Sequence, residues 1–132
     1  MGTPSEWEYF TVEELRCEHC GEMHMDNTFM HRMVLLRRAC SFPFIVTSGY
    51  RCPEYNNSIS TTGLNGPHTT GRAMDIHVTG EEALEVVSKA TAYGMTGVGI
   101  KQKGAYNGRF IHLDDLEKDL SVGRTRPHIW TY

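Results

Sequence analysis

Pro67-His68-Thr69-Thr70-Gly71-Arg72-Ala73-Met74-Asp75 closes a long polar stretch that opens Ser48-Gly49-Tyr50-Arg51-Cys52-Pro53-Glu54. A histidine and an aspartate bracket a turn at Gly71, and the aspartate interrupts what reads as a strand, Ala73 to Val78. Period two puts Ala73, Asp75 and His77 on one face and Met74, Ile76 and Val78 on the core face. A carboxylate in such a strand is costly to bury unless it is paired or bound to a cation. An ion pair with Arg72 or Arg51 would satisfy Asp75, and so would a metal shared with His68 folded back over the turn. His112-Leu113-Asp114 repeats the pattern inside a second apolar strand. Two imidazoles and one carboxylate brought together make an open zinc site of the catalytic kind, with a fourth position left for water. On spacing alone His77 competes for a ligand place.

Working outward, the elements form one α+β domain, a small antiparallel sheet backed by helices. Thr11 to Leu15 reads as a capping box opening one helical turn, and Asp26 as the cap of a helix running to about Ala39. The stripe Phe29, Met30, Met33, Leu35 and Leu36 faces inward on that helix. Phe44 to Thr47 reads as a short buried strand. Ser48 to Pro67 is too rich in Gly, Asn, Ser and Pro to be regular, and a loop of that length in a small domain is usually functional. Glu81 to Tyr93 is the clearest helix, with Ala83, Leu84, Val87 and Ala90 inward and Gly94 behind it. Thr96 to Ile100 is a glycine-rich strand, Arg109 to Leu113 pairs with it, and the basic, aromatic end from Arg124 to Tyr132 supplies a last short strand. Residues 1–10 are an arm held by Trp7, Tyr9 and Phe10 or frayed at the terminus.

A length of 132 residues suits a single domain. A net charge of -3 and a pI near 6.1 remove the simplest support for nucleic-acid binding. No apolar run approaches membrane-spanning length, and no basic-plus-apolar leader precedes a cleavage site. The expectation is a monomer, not inserted in membranes and cytoplasmic until something else delivers it. Cys17-Glu18-His19-Cys20-Gly21 has the form of a zinc-knuckle half-site, which needs two further ligands. Cys40 and Cys52 could supply them, to hold a second, structural ion. Two disulfides or simply buried thiols are the other open readings.

A zinc hydrolase needs a general base beside the site. Asp114 lies two positions beyond His112 on the same face, about 7 Å along the strand, and is the first candidate. Asp115 comes next and Glu54 after it, while a solvated turn is the bland alternative for the first two. Arg51 could hold a carboxylate, stabilise an oxyanion or simply brace the loop.

Together these blocks resemble zinc D-Ala-D-Ala carboxypeptidase-type peptidases. The blocks are Ser48 to Asn56, Gly66 to Ile76 and Phe110 to Asp114. That group includes murein endopeptidases and shares its metal core with D,D-dipeptidases and the hedgehog signalling domain. The resemblance, from about Phe10 to Tyr132, implies a hedgehog/D,D-peptidase-like fold with one catalytic zinc held by His68, Asp75 and His112. It implies that Arg51 polarises the substrate carbonyl or binds its carboxylate, with Tyr50 and His128 near the substrate and His77 outside the ligand set. Many relatives carry an acid three residues before the last ligand. Here that position is Arg109, so the base passes to Asp114, with His128 as the substitute imidazole. The implied substrate is a peptidoglycan stem or cross-link peptide, and a phage or prophage delivery route suits so short a chain. A non-catalytic zinc module that binds peptide or glycan is the competing expectation. A purely structural metal domain, with His77 or His128 as fourth ligand, is a third.

Overall fold

The helices begin where capping chemistry places them. In the computed structural model, which describes residues 6–132, the Thr11 hydroxyl accepts from the Glu14 N–H. Glu14 in turn accepts from the Thr11 N–H at 2.9 Å, closing the box that heads α1 (Val12–Leu15). Asp26 accepts from the Phe29 N–H at 2.9 Å and opens α2 (Asn27–Ala39), whose last turn carries Arg37 and Arg38. Phe29, Met30, Met33, Val34 and Leu36 are buried, but Leu35, expected inward, is exposed. The expected arm falls partly on residues 1–5, outside those described. Beyond them Trp7 and Phe10 are buried, with Trp7 donating to Asn27 Oδ1 at 2.9 Å, whereas Tyr9 lies outside under the Arg37 guanidinium.

The polar stretch after Ser48 is more regular than its composition suggested. Pro53 starts a short helix, α3 (Pro53–Ile59), and two single 3₁₀ turns follow, Gly63–Asn65 and Pro67–Thr70. Asn56 explains why so polar a segment folds. Its side chain is fully buried, donates to Thr62 Oγ1 at 2.8 Å and to the Gly63 carbonyl at 2.6 Å, and accepts from Arg51 at 3.1 Å. The residues that resembled a solvated loop are wired to one another instead.

Five strands form one sheet: β1 (Ile45–Ser48), β2 (Ala73–His77), β3 (Gly97–Lys101), β4 (Phe110–Asp114) and β5 (His128–Thr131). Their order is β1-β2-β4-β3-β5; all pairs are antiparallel except β3 with β5, which run parallel. The expected antiparallel sheet therefore carries one parallel edge. β1 is the other edge; Ile45 is exposed there, so it is not the buried strand expected. Between β2 and β3, α4 (Gly80–Ala90) buries Ala83, Val86 and Ala90. Leu84 stands one residue off that i, i+3, i+7 stripe and faces solvent, against expectation. Gly94, at a φ of +92°, closes the 3₁₀ turn that ends this segment. α2 and α4 cover one face of the sheet, where Phe29, Met30 and Met33 join Met74, Ile76, Ile111 and Leu113 in the core. Period two then turns Asp75, His112 and Asp114 to the opposite face. No helix among the described residues is long and apolar enough to cross a membrane.

Candidate metal centre

β2 and β4 are neighbours with Asp75 directly opposite His112, so strand register alone sets these two side chains together. His68 arrives from the 3₁₀ turn Pro67–Thr70. The reversal back into β2 passes through Gly71 at a φ of +75°, where a side chain would also strike the His24 carbonyl. The three groups meet as expected: His68 Nε2 is 3.2 Å and His112 Nδ1 2.9 Å from Asp75 Oδ1. All three are buried.

Each imidazole has its other nitrogen fixed. His68 Nδ1 donates to the Gly49 carbonyl at 2.8 Å, leaving Nε2 turned to Asp75. His112 Nε2 donates to Asp114 Oδ2 at 2.8 Å, leaving Nδ1 turned to Asp75. This is how proteins prepare histidines to ligate metal. One atom from each of the three residues falls in a set within 4.8 Å of one another. Ligand bonds of about 2.0–2.1 Å in a tetrahedral zinc site require separations of about 3.3 Å. The donor set fits zinc. Burial would raise the Asp75 pKa, but the two imidazoles hold it well below the usual carboxylate range. For His112 burial works downward, and the hydrogen bonds to Asp114 and Asp75 overcome it and carry the pKa to about 9.

Asp114 occupies a place that sequence alone did not suggest. It is fully buried behind His112 and shares a two-pronged ion pair with Arg126, Nε to Oδ1 at 2.9 Å and Nη2 to Oδ2 at 2.8 Å. It also accepts from the Leu116 N–H at 3.3 Å. Burial opposes its ionisation, yet His112 and Arg126 hold its pKa below the normal range. Expected as the general base, it has no face toward the open side of the site. Asp115 is no solvated turn either: it is buried against Arg72 (2.9 Å) and Arg32 (3.6 Å). Glu54 is exposed in the first turn of α3.

The glycines of β3 make room for this arrangement. A Cβ at Gly97 would collide with the Asp114 carboxylate and the Arg126 guanidinium, and one at Gly99 would sit 2.6 Å from the Trp130 indole nitrogen. Neither Arg126 nor Trp130 was singled out from the sequence. The signal available was the alternation Gly97-Val98-Gly99, which leaves one face of a strand without side chains.

The metal cluster lines a cleft of about 700 Å³ that also takes in Arg51, Arg124, His128, Trp130 and Tyr132. Arg51 is braced by Ser48 Oγ (3.0 Å) and Asn56 Oδ1 (3.1 Å), with Nη2 3.7 Å from Asp75 Oδ2. Of the two arginines offered as partners for Asp75, it is therefore the one present; Arg72 serves Asp115 and Glu117. His128 stacks on Trp130 with ring centres 5.6 Å apart, and Trp130 in turn lies 5.1 Å from His112. Tyr50, expected at the substrate, does not line the cleft: its ring meets His24 edge-on and packs on the core. His77 is outside the metal cluster, with Nδ1 donating to the Arg109 carbonyl at 2.8 Å. The Arg109 side chain turns away to the Gly104 carbonyl. Among the described residues lining the cleft, Asp75 is the one carboxylate.

A family model described as Peptidase M15 matches residues 8–114, most of the chain and all three candidate ligands. The chain belongs to that family. It is on this basis a zinc metallopeptidase, and His68, Asp75 and His112 form its candidate catalytic metal site. Neither a curated protein nor a solved structure matches the chain significantly. The M15 match stops at Asp114, so Arg126, His128 and Trp130 lie beyond it.

Proposed function

We propose that this M15 peptidase hydrolyses an amide bond in the stem or cross-link peptides of peptidoglycan. The observation that carries this reading is the cleft itself. The His68–Asp75–His112 cluster lies in a groove lined by Arg51 and Arg124, with Arg126 committed to Asp114. Such a groove suits a short peptide bearing free carboxylates, as stem peptides do.

His68 through Nε2, Asp75 through its carboxylate and His112 through Nδ1 would hold the zinc. Zinc bound there supplies Lewis-acid polarisation and an activated water. The chain's own residues supply the rest. Arg51, fixed by Ser48 and Asn56, is placed to receive the charge that develops on the substrate carbonyl oxygen. His128 is the imidazole of the cleft that is not in the ligand set, and in this reading it accepts the proton from the attacking water. The same imidazolium returns that proton to the leaving amine. Asp114 keeps a proton on His112 Nε2 and so keeps Nδ1 free to ligate.

The scarcity of carboxylates favours a second reading, a zinc-containing module that holds peptide or glycan without cutting it. Incubating the zinc-loaded protein with purified muropeptides separates the two. Mass spectrometry should find fragments from a single type of amide cleavage, absent with His68→Ala and strongly reduced with His128→Ala. Full zinc occupancy with tight muropeptide binding and no fragments would establish the binding module instead.

A further inference from the structure

Three of the four cysteines meet away from the cleft. Cys17, Cys20 and Cys52 bring sulfurs within 4.8 Å of one another, and none is in a disulfide. Cys17 and Cys52 are buried, whereas Cys20 is exposed. Cys40 is not in this cluster; it is buried at the C-terminal cap of α2.

The turn that presents the first two is tightly built. The Cys17 N–H donates to the Glu22 carbonyl at 2.8 Å and the Gly21 N–H to the Cys17 carbonyl at 2.9 Å, with Gly21 at a φ of +78°. The Cys52 N–H donates to the Cys17 sulfur at 3.3 Å, so the two buried cysteines already meet through their own backbone and side chain. His19 Nδ1 stands 3.5 Å from the Cys52 sulfur. Bonds of about 2.3 Å to sulfur and about 2.0–2.1 Å to nitrogen put two ligands of one tetrahedral zinc about 3.5 Å apart. The His19 ring is steadied by stacking on Tyr55, 5.6 Å between centres and 9° between planes. A disulfide would use two of the three sulfurs and strand the third, whereas a metal uses all of them.

We infer that Cys17, Cys20 and Cys52 bind a structural zinc ion independent of the catalytic centre; His19, beside the Cys52 sulfur but outside that mutually close set, would complete the tetrahedron by a shift of its ring. The ion ties the turn after α1 to Cys52, the residue that caps α3. The two segments already touch there: the Tyr50 N–H donates to the Leu15 carbonyl at 2.8 Å, and Gly49 sits too close to Leu15 to carry a side chain. Cys52 follows Arg51 in the chain, so the ion would also fix the backbone of the arginine that faces the cleft.

Purified under reducing conditions, the full chain should hold two zinc ions by elemental analysis. A thiol-directed mercurial should release one of them as cysteines are consumed. With His68→Ala and His112→Ala combined, one zinc should remain, and cobalt substituted for it should show sulfur-to-cobalt charge-transfer absorption. Cys52→Ser should lose that absorption and Cys40→Ser should keep it. His19→Ala should keep charge transfer but bind the second ion more weakly. The inference fails if the wild type holds one zinc that the mercurial does not release. It fails equally if intact mass shows two hydrogens lost to a disulfide. Both of these readouts use the unmodified chain, so they decide the matter even if a cysteine variant does not fold, and neither depends on peptidase activity.

Discussion

Asp75 and Asp114 sit on adjacent strands, on the same face of one sheet, and both hydrogen-bond the ring of His112. Their surroundings differ completely. Asp75 opens onto the cleft, flanked by two imidazoles with Arg51 at 3.7 Å. Asp114 is sealed under Gly97 and β5, its oxygens taken by Arg126, His112 and the Leu116 amide. One carboxylate is placed to bind a cation and exchange partners. The other has had its capacity filled by the protein. Identical side chains two residues from equivalence in register therefore take on ligation in one case and support in the other.

That contrast can be broken from either side. The largest effect is expected from Asp75→Asn, which should abolish catalytic zinc binding and bring hydrolysis to background. Elemental analysis and a peptide-release assay check it, and retained zinc at the cleft would contradict the ligand assignment. His128→Ala comes next. If the proton passes to the cleft imidazole, kcat should fall by about 10²–10⁴-fold with cleft zinc unchanged. An unaltered rate would return the base role to another group. Asp114→Asn should be milder, lowering zinc affinity or activity by about 10–100-fold, because it disturbs only the orientation and tautomer of His112. Truncation to Asp114→Ala should instead appear in thermal melts, since it leaves Arg126 as a buried unpaired charge at a cost of about 3–5 kcal/mol. Gly97→Ala closes the series. It presses on the Asp114–Arg126 pair and should cost about 1–3 kcal/mol of stability while leaving residual activity measurable.

The local chemistry was largely legible in the chain. The capping box at Thr11, the cap at Asp26 and the alternation that sends Met74, Ile76, Ile111 and Leu113 inward each depend on near neighbours. They are determined by spacing, and the structure agrees with them. Errors arose where a residue's fate depends on distant partners. Asn56 looked like loop material because its partners, Arg51, Thr62 and Gly63, become visible only once the chain is folded. Leu84 and Leu35 looked like core because hydrophobicity says nothing about which side of a helix meets the sheet. The family resemblance put Tyr50 near the substrate, whereas packing turns its ring toward His24.

The sequence by itself determined the ligand types, their spacing on two strands and the glycine turn that lets His68 return over Asp75. Short-range geometry dictates those features: period two in a strand and positive φ at Gly71. Only the tertiary structure decided that Asp114 is sealed off from the cleft. That outcome requires Arg126, just ahead of the strand that pairs in parallel with β3, to lie across Gly97 and close over the carboxylate. Burial of an ion pair is a property of everything that surrounds it, and spacing along the chain does not encode it.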